Sequence, residues 1–191
     1  MDSQAQPEVS LRDALPWVGM MLDYTDKVAA LIPDDMIDWR PEDPSEAFCF
    51  SLGEIVMHCS DARLMFSRQL TGSDSKEGYW SEEPGEDGGW SFREHGGKQA
   101  ILDSLASARR EFDPWLDKPA SAMTEIPDGA YQTYERALQW FKDNDQDPTD
   151  FECRGPANIV RVLMALAAHE SGHRGALQTL LRLKGINVRQ E

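Results

Sequence analysis

The residues in this sequence best placed to do chemistry are histidines. His169 and His173 lie in ANIVRVLMALAAHESGHRGALQTLLRLK (157–184), where Val162, Leu166, His169, His173, Leu177 and Leu180 recur at spacings of four, three, four, four and three. That is one stripe of a 3.6-residue helix. Both imidazoles therefore belong to its buried face, one turn apart and on nearly the same side. A lone buried histidine is ordinarily a core residue hydrogen-bonded to a neighbour. Two adjacent neutral rings on an apolar stripe need two such partners, whereas one divalent cation satisfies both. His58 supplies the third ligand, because LGEIVMHCSDARLMFSRQL places Ile55, His58, Ala62 and Met65 at helical spacing toward the interior. His95, in the glycine-rich EHGGK, reads as a solvated loop residue or the beginning of a helix.

Three neutral imidazoles leave at least one coordination position open to water or substrate, as catalytic metals do. Zinc is the first choice, and nickel, iron, manganese and cobalt also accept imidazole. Such an ion brings bound water, or a bound thiol, toward deprotonation at neutral pH. His169-Glu170-Ser171-Gly172-His173 also satisfies H-E-x-x-H, the metalloprotease signature in which the glutamate activates water. A protease of that kind takes its third ligand from downstream. Here eighteen residues follow His173 with no histidine among them, and DFECRGP before the helix offers no clear strand. Glu170 is the candidate catalytic base for a hydrolytic reaction, although it lies about 100° around the helix from His169. Arg174 is expected to meet a carboxylate on a neighbouring helix. Glu54, one turn before His58, either orients that imidazole or is a plain surface residue.

Helices must hold these side chains. Ser10 offers an N-cap for LRDALPWVGMMLDYTDKVAALI, with Ala14, Trp17, Met21, Tyr24, Val28 and Leu31 as the inward stripe, and Pro16 either kinks this helix or moves its start. Residues 1–9 read as a flexible arm. A connector through Trp39-Arg40-Pro41 leads to the helix carrying His58, which begins between Ser45 and Ser51 and ends near Leu70. Residues 71–97 form a long acidic, glycine-rich loop with Tyr79, Trp80, Trp90 and Phe92, either a lid over the mouth of the site or a flap against the outer surface. Ile101, Leu105, Ala108, Phe112 and Trp115 mark a third helix over 98–116, and Tyr131, Tyr134, Leu138 and Phe141 a short one. Gly155-Pro156 breaks the chain before the last helix. With no strand pattern, the fold expected is all-α, a four-helix bundle with one extra short helix and the long loop, in a single domain spanning 1–191.

The order of these motifs, one histidine on an early helix and then H-E-S-G-H-R-G from His169 to Gly175 on the last, resembles the DinB/YfiT-like family of small metal-binding bundles. The likeness extends over nearly the whole chain in element order. Many members carry a further histidine and a glutamine where this chain has Gly172 and Ala176. The resemblance implies a divalent metal on His58, His169 and His173. It also implies small-molecule chemistry, either transfer of a low-molecular-weight thiol such as bacillithiol, mycothiol or glutathione to an electrophile, or hydrolysis, and pairing into a homodimer. The alternative from another class is a non-catalytic helical stress-response or binding protein with a structural metal, its acidic loop meeting a basic partner.

Composition bounds the rest. At 191 residues and 40% apolar content the chain suits one globular domain with a sizeable core. A formal charge of −15 opposes general attraction to phosphate backbones or anionic lipid, so neither nucleic acid nor a membrane is an expected partner. No apolar run is long enough for a span, and Met1 to Ser10 lacks the features of a signal peptide. Three cysteines without C-x-x-C spacing leave an odd thiol, which points to a reducing compartment, the cytoplasm.

Overall fold

The computed structural model describes residues 8–42, 49–84 and 90–188 and is mostly helical, consistent with an all-α chain. Ser10 caps a short α1 (Leu11–Ala14) by accepting the Asp13 N–H, the backbone breaks at Leu15, and Pro16 then opens α2 (Pro16–Ala30). Pro16 thus starts the longer helix, where its missing N–H costs nothing. This break also rotates the expected stripe. Val18, Gly19, Leu22, Thr25, Val28 and Ala29 are buried, while Trp17 and Leu31 are exposed. A stripe anchored on Ala14, before the break, is out of phase with α2.

The helix carrying His58, α3 (Leu52–Thr71), begins with a capping box: Ser51 Oγ accepts the Glu54 N–H at 3.1 Å, and the Glu54 carboxylate accepts the Ser51 N–H at 2.6 Å. Glu54 also receives Arg40 at 3.0 Å, so it serves the cap and not the imidazole of His58. Gly72, at φ 73°, closes α3 in the left-handed conformation that favours glycine. Then follow α4 (Lys98–Leu116), α5 (Asp128–Asp143), the single turn α6 (Thr149–Glu152) and α7 (Ile159–Leu183), the last capped by Asn158 accepting the Arg161 N–H.

Between α3 and α4 the chain forms a structure not expected from its pattern, an antiparallel pair β1 (Ser81–Pro84) and β2 (Trp90–Phe92). The first strand is polar up to Pro84, and the second, Trp90-Ser91-Phe92, alternates over only three residues, too few to read as a strand. They are fixed from outside: buried Asp61 of α3 accepts the Trp80 N–H, the Ser81 N–H and the Ser81 hydroxyl at 2.6–2.7 Å, and buried Trp80 donates its indole N–H to Ser104 of α4.

Helix α3 packs on α4, α7 and α5, and α2 packs on α7 and α4. One apolar cluster gathers Val28, Ile32, Leu52, Val56, Leu105 and Leu177, and another gathers Leu11, Leu22, Phe112, Ile159, Leu163 and Leu166. Val9 and Leu11 are pinned to the exit of α4 through Ala120 and Lys118, so the expected arm is ordered by Val9; its residues 1–7 lie outside the described residues. Also outside are 43–48, which include part of the 45–51 range expected to hold the start of α3, and 85–89 of the expected loop. Among the described residues no helix is long and apolar enough to cross a membrane.

Candidate metal centre

His58 projects from α3 and His169 and His173 from α7, and one ring nitrogen of each lies within 4.8 Å of the others. These three form a group that could hold a metal ion. Nε2 of His58 and Nε2 of His169 are 3.1 Å apart. Two nitrogens each about 2.0–2.1 Å from one ion at angles between octahedral and tetrahedral stand about 2.9–3.4 Å apart, so this pair fits a shared ion. The ring centroids of His169 and His173 are 4.4 Å apart, and those of His58 and His173 4.6 Å. The ordinary alternative, a core histidine with both nitrogens satisfied, fails for His169, whose buried Nδ1 has no hydrogen-bond partner.

Electrostatics favour the ligating form. Burial pushes His58 down to about 4, with His173 adding repulsion, and pushes His169 to about 4, with His173 and His58 adding theirs. Burial also lowers His173, against the opposing pull of Glu170. The rings are thus neutral at physiological pH, as metal ligation requires.

Aromatic side chains enclose the group. Phe50 stacks on His58 at 5.7 Å, Trp90 of β2 leans against the same ring at 5.8 Å, and Phe66 of α3 meets His169 edge-on. A cavity of about 450 Å³ opens beside the group, bordered by His58, His169, Met65, Tyr79, Glu82 and Trp90. Segment 76–82 and Trp90 therefore lie beside the histidines, and not against a remote face.

Glu170 is in a different position from that expected of a base. Its side chain is fully buried, and its two oxygens accept Arg63 Nε at 2.7 Å and Nη2 at 3.1 Å. Both carboxylate oxygens are engaged by a buried guanidinium, and Glu170 is not among the residues that border the cavity. The H-E-x-x-H pattern thus supplies two of the three histidines that could hold an ion, while its glutamate is engaged by Arg63. Arg174 also departs from expectation: its guanidinium lies over the Tyr24 ring at 5.5 Å and reaches Met21 Sδ, with no carboxylate partner among the described residues. His95 accepts the Gly97 N–H at the start of α4 and contacts Asp38 at 2.9 Å, apart from the group of three. The described cysteines, Cys49, Cys59 and Cys153, are all free.

Arg63 is the important residue that sequence reasoning passed over. With no side-chain exposure, its guanidinium bonds Glu170 of α7, Asp26 and the Leu22 carbonyl of α2, and the Leu105 carbonyl of α4. Its flanking neighbours Ala62 and Leu64 are buried too, but no signal in the sequence alone marks the arginine between them as buried. No protein-family model matches this chain, and neither the curated proteins nor the solved structures contain a match to it.

Proposed function

We propose that this chain is a DinB/YfiT-like four-helix-bundle protein of the cytoplasm. In this reading His58, His169 and His173 bind one divalent cation, zinc first, with nickel, iron, manganese and cobalt as alternatives, and the chain acts on small molecules as a metal-dependent enzyme. The observation that carries the reading is the convergence of three neutral ring nitrogens, from residues far apart in sequence, beside a cavity of small-molecule size. When bound, the cation supplies Lewis acidity that brings a thiol or water toward deprotonation near neutral pH. The chain's own part is to hold the rings neutral by burial, to orient them through α3 and α7, and to keep water off one side with Phe50 and Trp90.

Between the two chemistries, thiol transfer is favoured over hydrolysis. Hydrolysis calls for a carboxylate base. Glu170 is occupied by Arg63, and the Asp61 carboxylate by three donors from Trp80 and Ser81. Glu82, exposed at the cavity rim, is what remains. A thiol can be activated by the cation with no such base. The second reading, a structural metal in a non-catalytic protein, is favoured by the Arg63 network, which shows how much of this interior is devoted to holding helices together.

Metal analysis of the purified protein beside His58→Ala, His169→Ala and His173→Ala tests the metal reading, with one equivalent in the wild type and at least tenfold weaker binding in each variant expected. Metal bound equally well by all four proteins would remove it. Consumption of a low-molecular-weight thiol with an electrophile such as 1-chloro-2,4-dinitrobenzene then separates enzyme from structural site. Metal loss that lowers the melting temperature in a protein without such turnover favours the second reading.

A further inference from the structure

We infer that the cavity beside the three histidines takes a compact, flat, uncharged apolar molecule, and that Trp90 selects for it. The inference deepens the metal-site reading and rests on it for functional meaning, because the ligand's reactive group would lie against His58 and His169. The cavity's own preference follows from its walls alone. Its volume of about 450 Å³ suits a ligand of one or two fused rings with a short substituent.

Charge does not select the ligand. The one carboxylate buried in the lining, Asp61, is committed to three hydrogen bonds from Trp80 and Ser81. At the rim Lys76 and Glu82 are both exposed and opposite in sign, so neither an anion nor a cation is preferred there. At longer range the formal charge of −15 repels anions such as phosphorylated metabolites.

What remains is apolar surface. Ala62 and Met65 supply it from α3, and two aromatic rings face them across the cavity. Tyr79 is already in contact with two cations, the Lys76 ammonium and the Arg68 guanidinium, each 5.2 Å from its ring. Among the described residues no cation lies over Trp90. It stays 41% exposed while it lines the cavity and leans on His58. A large ring held open beside a ligand-sized space gains most from an offset or edge contact with another ring.

The test uses the full chain as purified, with metal content measured in every preparation. Titration calorimetry compares 2-naphthol, uncharged at neutral pH, with 2-naphthyl phosphate, which carries the same rings and a charged group. One-to-one binding of 2-naphthol is expected, with the phosphate at least tenfold weaker. Trp90→Ala is expected to weaken 2-naphthol at least fivefold and Trp90→Phe less than twofold, each compared with the wild type at equal measured metal content. Binding of the phosphate as tightly as 2-naphthol, no binding of either, or an unaltered affinity in Trp90→Ala would each overturn the inference. Met65→Trp, at an exposed position of α3, fills the same space without disturbing the strand pair, so undiminished 2-naphthol binding in that variant overturns it as well. A protein that lacks metal yet binds 2-naphthol through Trp90 removes the metal reading and leaves this cavity. A metal-loaded protein indifferent to 2-naphthol does the reverse.

Discussion

Arg63 is among the largest fully buried side chains, and its charge is matched by the buried Glu170 and by the partly exposed Asp26. A buried pair of this kind contributes little over an apolar replacement, but removing one partner strands the other charge. Glu170→Ala is therefore expected to lower unfolding stability by about 3–5 kcal/mol, measured by urea denaturation. Glu170→Gln, which keeps one oxygen for Arg63, should still leave most of that loss, and any folded fraction should retain metal. A glutamine variant of wild-type stability that loses only turnover would instead return Glu170 to the role of base. The histidines make a second expectation. In the metal-free protein His58 and His169 stand at about 4 against an ordinary 6.5, so between those values the unfolded chain binds more protons than the folded one. Stability then rises with pH across that window and falls on acidification from about 6.5 to about 4. The urea midpoint followed over this range should lose much of its slope in a His58→Gln/His169→Gln double variant. At this scale the grouping of His58, His169 and His173 was legible, because imidazoles on an apolar stripe are conspicuous. Arg63 was not, because periodicity assigns a charge to solvent unless its partner is known, and Glu170 lies 107 residues away.

The helices bring these residues together through their ends as much as their faces. Helix α3 starts at the Ser51–Glu54 box and is held to the preceding connector by the Gly53 N–H, which donates to the Ile37 carbonyl at 2.7 Å. Ser51→Ala should cost about 1 kcal/mol, seen as a lower melting temperature. At its other end α3 meets the start of α5 so closely that a Cβ on Gly129 would run into the backbone of Gly72, Leu70 and Thr71. Backbone cannot swing aside as a side chain can, so Gly129→Ala is expected to cost about 1–3 kcal/mol. Thermal unfolding without such a loss would mean that α5 is free to shift on α3. Periodicity located α3, α4 and α7 to within a few residues, because each buries a continuous apolar face. It misplaced the face of α2 by reading through the Leu15 break, and it missed β1 and β2, whose geometry is imposed by Asp61 from another element. The close approach at Gly129 leaves no local mark, since a glycine two residues after Pro127 reads as a turn.

Across the whole molecule the excess of 34 acidic over 19 basic side chains creates a field that attracts every divalent cation, whether or not the histidines bind one. That attraction is screened over about 8 Å at physiological ionic strength, whereas a ligand bond at the histidines is not. A zinc titration at low salt should therefore show one tight equivalent above a tail of weak sites, and at 0.15 M salt the tail should shrink while the tight equivalent persists. The triple His58→Ala/His169→Ala/His173→Ala protein should keep the low-salt tail and lose the tight equivalent. Binding to the folded state alone also raises stability, by about 2.7 kcal/mol at a free metal concentration 100 times the dissociation constant. The wild type should accordingly melt higher with zinc at 0.15 M salt, and the triple variant should not. If both proteins gained equally, the stabilisation would come from the diffuse negative charge, and the meeting of α3 and α7 at the three rings would have no part in it.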